Sequence, residues 1–282
     1  MSVQDQISPL KRVYVRAPVA TDLGAWEAYG WRSEPDPAQA ADEHTAFRAE
    51  LERAGAMVEV GAAQAPDDPD AIYAYDPVLM TDAGAILLRP GKEGRRAEPS
   101  AVASDLAAAG VSIVGRLEDP ATAEGGDLFW LDRSTLLAGR GYRTNDEGIM
   151  QLRALLGGSV DVVDFDLPHF RGPGECLHLM SFVSPLDVDL ALAYLPMVPV
   201  RLMEILVARD IRLVEVPDDE FASMGPNVLA LGPRTALALA GNPETQRRME
   251  TAGVDVRTYI GNEISRKGDG GPTCLTRPLE RG

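Results

Sequence analysis

A thiol, an imidazole and several carboxylates stand at nearly even spacing along this 282-residue sequence. Asp76 precedes an apolar run, and Glu124 and Asp127 flank Gly125-Gly126. His178 lies inside a third run, Asn227 opens a fourth, and Cys274 follows the loop GDGGPT. The steps between them are about fifty residues, a length that suggests a repeated unit. If the repeats surround an axis, acid, acid, imidazole and thiol converge in one cleft. A free thiol, with its pKa near ~8.5, needs a cationic neighbour to become a nucleophile at pH 7. Histidine can protonate a leaving group and then activate water. Carboxylates beside this pair bind a planar cation through paired hydrogen bonds, so the set points to attack on a guanidinium carbon. Without the acids, the same Cys/His pair equally suits an ester or an amide.

Taken singly, each residue has a plainer explanation. An aspartate before a strand is usually a turn residue, and Gly-Gly supplies positive φ cheaply. A histidine in an apolar run is usually a satisfied core residue. Cys176, two residues before His178 in what looks like an alternating strand, reads as a small buried hydrophobe. His44, on the polar side of a helix, and His169, in a proline-rich loop, read as structural. Cys274 differs, because it stands away from any hydrophobic run.

The elements that must position these residues form a repeating strand, tight turn, strand, helix, strand. One copy is PVLM, AILLR, a helix from about Glu98 to Ala109, and VSIVG. The next is GDLFWL, TLLAG, a helix from about Asn145 to Leu156, and VDVVDF. LHLMSFV, VDLALAY, a helix from about Val200 to Arg209 and IRLVEV make the third. NVLAL, TALALA, a helix from Asn242 to Ala252 and VDVRTYI make the fourth. KRVYVR, a helix from about Gln39 to Ala54 and MVEVG open the chain. Five units predict an α/β fold, a closed five-fold pseudosymmetric ring of ββαβ modules forming one catalytic domain over 1–282. Residues 17–38, with Trp26, Tyr29, Trp31 and three prolines, break the pattern and read as a lid loop, with Trp26 or Trp31 contributing.

Composition bounds the function. Hydrophobic residues make up 45% and charged residues 25%, as in ordinary globular chains. A net charge of −16 argues against nucleic acid or an anionic membrane as partner. Lysines are few: Lys11, Lys92 and Lys267 against many arginines. Two cysteines make no disulfide framework, and no Cys/His spacing suggests zinc. No signal-peptide pattern or membrane-spanning run is visible, so the expectation is a cytoplasmic protein with free thiols.

Six motifs in order then identify a resemblance covering nearly the whole chain. They are Asp70-Ala-Ile-Tyr-Ala-Tyr-Asp76, Arg89-Pro-Gly-Lys-Glu-Gly-Arg95-Arg96, Glu124-Gly-Gly-Asp127, Gly141-Tyr-Arg143-Thr-Asn145, Leu177-His178-Leu and Gly270-Gly-Pro-Thr-Cys274-Leu-Thr. The sequence resembles the guanidino-group-modifying enzymes of the pentein fold: arginine deiminases, dimethylarginine dimethylaminohydrolases and amidinotransferases. The resemblance implies Cys274 as nucleophile, His178 as general acid and base, and Glu124 beside His178. It implies that Asp76 and Glu124 hold the guanidinium and that Arg95 and Arg143 clamp the substrate α-carboxylate. Asp70 would stand near the substrate's other polar end, with Asp127 as a structural partner in the same site. It implies no metal and no organic cofactor, a small guanidino substrate and a homodimer.

Departures from the pattern bear on the substrate. Arginine deiminases and amidinotransferases typically carry a second acid two residues after the histidine, where this sequence has Met180. Unsubstituted N–H groups facing an apolar wall go unpaired, whereas methyl groups need no acceptor, which favours an N-methylated arginine. Tyr75, where dimethylarginine hydrolases often have Glu, runs against that. Asn227-Val-Leu-Ala-Leu and Glu263 to Cys274 read more like arginine deiminase or arginine dihydrolase. Arginine deimination, dihydrolysis and amidino transfer therefore stand as alternatives. A non-catalytic ligand-binding ring is a further one, against which the joint Asp76, Glu124, His178 and Cys274 set argues.

Overall fold

Short apolar runs joined by tight turns fold as hairpins, and after each hairpin a helix carries the chain back to lay down a parallel third strand. The computed structural model describes residues 3–282. The chain opens with β1 (Leu10–Arg16), the short α1 (Ala20–Leu23), α2 (Pro37–Arg53) and β2 (Met57–Gly61). Next come β3 (Val78–Thr81), β4 (Gly84–Leu87), α3 (Glu98–Ala108) and β5 (Ile113–Arg116). The third unit is β6 (Leu128–Asp132), β7 (Thr135–Arg140), α4 (Asp146–Leu156) and β8 (Asp161–Asp166). The fourth is β9 (Val183–Asp187), β10 (Leu190–Ala193), α5 (Val200–Ala208) and β11 (Arg212–Glu215), followed by the short α6 (Asp218–Phe221). The fifth is β12 (Val228–Gly232), β13 (Thr235–Leu239), α7 (Pro243–Thr251) and β14 (Asp255–Tyr259), and the chain ends in β15 (Arg277–Arg281).

Every sheet has three strands with one plan. The middle strand pairs antiparallel on one side and parallel on the other, as in β3-β4-β5 and β6-β7-β8. The first sheet, β15-β1-β2, takes its antiparallel strand from the far end of the chain, with Val13 opposite Pro278. Proline is tolerated there because β15 is an edge strand. The buried apolar clusters lie between successive modules. Tyr14 and Leu279 pack with Val78 and Met80, and Leu79 and Ile86 with Trp130 and Leu136. Phe129 and Leu137 pack with Phe182 and Ala191, and Leu186 and Leu190 with Val228 and Met249. Leu229 and Leu237 return to Val13 and Phe47, which closes the circle. The architecture is a five-fold ββαβ propeller, as the periodicity predicts.

Three features depart from the sequence reading. LHLMSFV is not a strand over its length: residues Leu179–Ser181 form a 3-10 turn, and the strand runs Val183–Asp187. The His178 backbone N–H donates to the Ser181 hydroxyl, which draws the chain into a turn before pairing starts. Cys176 is consequently off any strand and half-buried. The second departure is β15, whose arginines hide its strand character. Arg281 is 1% exposed and donates to the Ser8 and Ala230 carbonyls, while Arg277 donates to those of Tyr75 and Val78. His44 is also not on a polar face; it is 2% exposed, and burial, with Arg48 nearby, lowers its pKa to about 4.

Candidate active site

The ring architecture explains why the spaced polar residues meet. Each antiparallel strand is entered from a segment carrying one of them: Asp76 before β3, Glu124 before β6, His178 before β9, Asn227 before β12, Cys274 before β15. Asp76, His178, Asn227 and Cys274 line one cavity of about 180 Å3. Beside it, the His178 Nε2 lies 2.8 Å from Glu124 Oε2, and its Nδ1 lies 3.9 Å from Asp76 Oδ1.

Gly125 and Gly126 owe their identity to crowding rather than to backbone angle, since neither has positive φ. A Cβ on Gly125 would stand 2.1 Å from the Tyr75 carbonyl oxygen, and one on Gly126 2.3 Å from His178 Nδ1. The Gly126 N–H donates to Asp76 Oδ1 at 2.9 Å, which fixes that carboxylate. Asp127 accepts from the Thr144 hydroxyl at 2.7 Å and the Leu179 N–H at 3.2 Å. It thereby ties the turn carrying His178 to the Glu124 segment. Its burial raises its pKa to about 6.

The charges are strongly coupled. Burial by itself would raise the Glu124 pKa, but the His178 hydrogen bond and charge, with Arg143 and Arg95, hold it well below the carboxylate range. Burial would likewise lower His178, yet Cys176, Asp76 and Asp127 push it well above the ordinary imidazole value. The pair is therefore imidazolium and carboxylate. Burial pushes the Cys274 thiol up to about 12, helped by Asp76 and opposed by His178. Without a ligand, the thiol is protonated at neutral pH. Asp76, Glu124 and His178 offer ligand atoms within 4.8 Å of one another, a donor set able to hold a cation.

The two arginines occupy different settings. Arg143 reaches Glu124 at 3.2 and 3.3 Å and lines the cavity. Arg95 is 3% exposed and its guanidinium is fully engaged: Glu98 at 2.5 and 3.0 Å, Asp76 Oδ2 at 2.7 Å and the Tyr73 carbonyl at 3.3 Å. In this structure Arg95 thus binds the acid expected to hold the ligand's guanidinium. Asp70 accepts from Trp31 Nε1 at 2.8 Å and from Lys92 Nζ at 2.5 Å. Met180 is buried and is not among the lining residues, whereas Leu177 and Ser181 are.

Sequence reasoning missed three participants. Lys92 bridges Asp70 and the Tyr29 carbonyl and stacks on the Tyr29 ring, which its rarity in this chain flags only weakly. Cys176 lies 3.7 and 3.8 Å from the two ring nitrogens of His178. Glu98, buried against Arg95, stood unremarked at a helix start. The 17–38 segment supplies Tyr29, Gly30 and Arg32 to the cavity mouth, and Arg32 pairs with Asp269.

The arginine deiminase family model matches residues 196–281. The N(G),N(G)-dimethylarginine dimethylaminohydrolase of Streptomyces coelicolor is 30% identical, over 95% of this chain and 96% of its own. Its counterpart from Pseudomonas aeruginosa is 29% identical, over 86% and 89%. A solved structure of the Pseudomonas protein, a cysteine-to-serine mutant complexed with citrulline, superposes with a TM-score of 0.78 at 26% identity. It covers 95% of this chain and 98% of that one.

Proposed function

The chain belongs to the dimethylarginine dimethylaminohydrolase family, and from that premise we propose that it hydrolyses an N-methylated arginine to citrulline and an alkylamine through Cys274. It is an amidinohydrolase. The observation that carries the assignment of residues is the meeting of Cys274, His178, Asp76 and Glu124 at strand entrances of different modules.

A guanidinium entering the cavity brings positive charge to a thiol that burial and Asp76 hold protonated. Binding therefore favours the thiolate, and the thiol proton passes to solvent because His178 already carries one, so nucleophile and substrate are activated together. The Cys274 sulfur adds to the guanidinium carbon. Imidazolium His178 gives its proton to the departing amine, and the carbon–nitrogen bond breaks to leave an S-alkylthiouronium on Cys274. Neutral His178 then takes a proton from water as the hydroxide adds to that carbon. Loss of the sulfur regenerates Cys274 and leaves the ureido group of citrulline. Glu124 keeps the imidazolium oriented and stabilised throughout. Arg143, at the cavity wall, receives the α-carboxylate, and the 17–38 segment forms the roof. Arg95 is displaced from Asp76 when the substrate's guanidinium takes its place. A cytoplasmic setting agrees with two free thiols, and the family reading carries a homodimer with it.

Arginine itself is the second reading, favoured by the arginine deiminase match over the segment holding Asn227 and Cys274. The deciding assay offers arginine, monomethylarginine and asymmetric dimethylarginine in parallel, with Cys274→Ser as the blank. Citrulline with methylamine or dimethylamine, and little from arginine, is the expected result. Ammonia from arginine, or ornithine in the same samples, makes the second reading correct.

A further inference from the structure

Asn227 lies in the cavity wall, 6% exposed, at the entrance to β12. Its amide is oriented by its surroundings. The Thr273 backbone N–H donates to its oxygen at 3.2 Å, so the oxygen must face that amide. The nitrogen is then turned toward two acceptors, the Met180 carbonyl at 3.5 Å and the Cys274 sulfur at 3.4 Å. The chain leading to Cys274 presses against this amide so closely that a Cβ on Gly271 would lie 2.4 Å from its oxygen. Asn227 therefore belongs to a neighbouring module yet fixes both the loop and the sulfur.

We propose that Asn227 is a catalytic residue whose side-chain amide donates a hydrogen bond to the Cys274 thiolate during attack and again as sulfur departs. The inference rests on Cys274 being the nucleophile. The groups around the sulfur favour such a donor. Asp76 opposes negative charge there, Cys176 and the Tyr73 and Tyr259 hydroxyls lie within electrostatic reach, and against them stand the His178 charge and a backbone hydrogen bond at Gly271. Yet His178 is already committed to Glu124 through Nε2. A neutral N–H donor stabilises the thiolate without competing for the substrate's acids.

The test measures alkylation of Cys274 by a chloroacetamidine against pH, in a Cys176→Ser background that leaves one thiol, for Asn227, Asn227→Leu and Asn227→Asp. Leucine removes the donor without adding charge; aspartate removes it while keeping the oxygen that holds Thr273. Both are expected to slow alkylation about tenfold at pH 7 and to move its midpoint upward. A shift in the aspartate variant alone would report its added charge and overturn the proposal. A shift in the leucine variant alone would report a loosened loop and overturn it too, as would no shift in either. Citrulline formation by Asn227 protein, and protection of its Cys274 by substrate, are read in the same series. If those are missing, the nucleophile assignment has failed rather than the role of Asn227.

Discussion

Glu124 shows how much one side chain does here. It is wholly buried and accepts from His178 and Arg143 and from the Lys92 backbone N–H at 3.2 Å. Its charge, 2.8 Å from Nε2, adds to the influence of Cys176, Asp76 and Asp127 in keeping a buried imidazole protonated, as the acid proposed to expel the amine must be. Glu124→Gln keeps the shape and removes the charge. Turnover is expected to fall by about 100-fold or more, with KM less affected. The His178 pKa falls in the variant, so the alkaline limb of the pH–rate profile moves toward lower pH. A profile whose limbs stay in place would mean that Glu124 does not govern His178. That these residues meet was legible from their even spacing, because equivalent positions of a closed ring converge, whereas their roles at a guanidinium were implied only by the family resemblance. Partner choice was not. Nothing along the sequence says that Arg95 turns inward to Asp76 and Glu98, because that depends on the fold burying residues 76, 95 and 98 together.

At the level of elements, the 17–38 segment is held at several points rather than hinged. Trp31 is 5% exposed, its ring lies 6.2 Å from that of Tyr73, and its N–H is bonded to Asp70. Arg32 N–H donates to the Lys267 carbonyl at 2.7 Å, tying the segment to the loop that leads to Cys274. Trp31→Phe keeps the ring contact and removes one of Asp70's two donors, leaving Lys92. Expected is a rise in KM of about five-fold, from the loss of one hydrogen bond to a charged acceptor, with turnover little changed. Unchanged KM and turnover would remove the segment from substrate binding. Helix α2, which follows that segment, carries the other prediction. His44 is buried without a partner for its Nε2, and its pKa is depressed from 6.5 to about 4. A depressed base gives stability that is present above the unfolded value and lost as pH falls through the folded one. Between pH 6.5 and 4 the protein should lose on the order of 3 kcal/mol on this account. Urea midpoints of His44→Leu should fall less steeply over that range; parallel curves would refute the assignment. Most element boundaries were readable because apolar alternation and caps such as Asn145, which accepts from the Gly148 N–H, are local signals. β15 was unreadable for the opposite reason: Arg277 and Arg281 look solvent-exposed until distant carbonyls are folded around them.

On the scale of the molecule, the cleft is a property of the closed ring. Asp76, Glu124, His178, Asn227 and Cys274 come from segments entering β3, β6, β9, β12 and β15, and β15 completes a sheet whose other strands begin the chain. Apolar clusters bridge each module to the next, so no module buries its own surface alone. We propose on these grounds that residues 1–282 behave as one domain. Opening the ring at any seam exposes apolar surface on both sides and separates residues of the cleft. Unfolding should then be all-or-none. Trp130, buried between the second and third modules, reports one part of the ring by fluorescence. Cys274, reached from the seam between the fifth module and the first, reports another by alkylation under substrate-free conditions. In a Trp26→Phe, Trp31→Phe, Cys176→Ser background, the two signals should lose their native values at the same urea concentration. Salt at 0.15 M should move both midpoints upward together, since a chain of net charge −16 repels itself and screening relieves the compact state most. Separate midpoints would show that part of the ring folds independently, and the cleft would then be an interface between units rather than the interior of one.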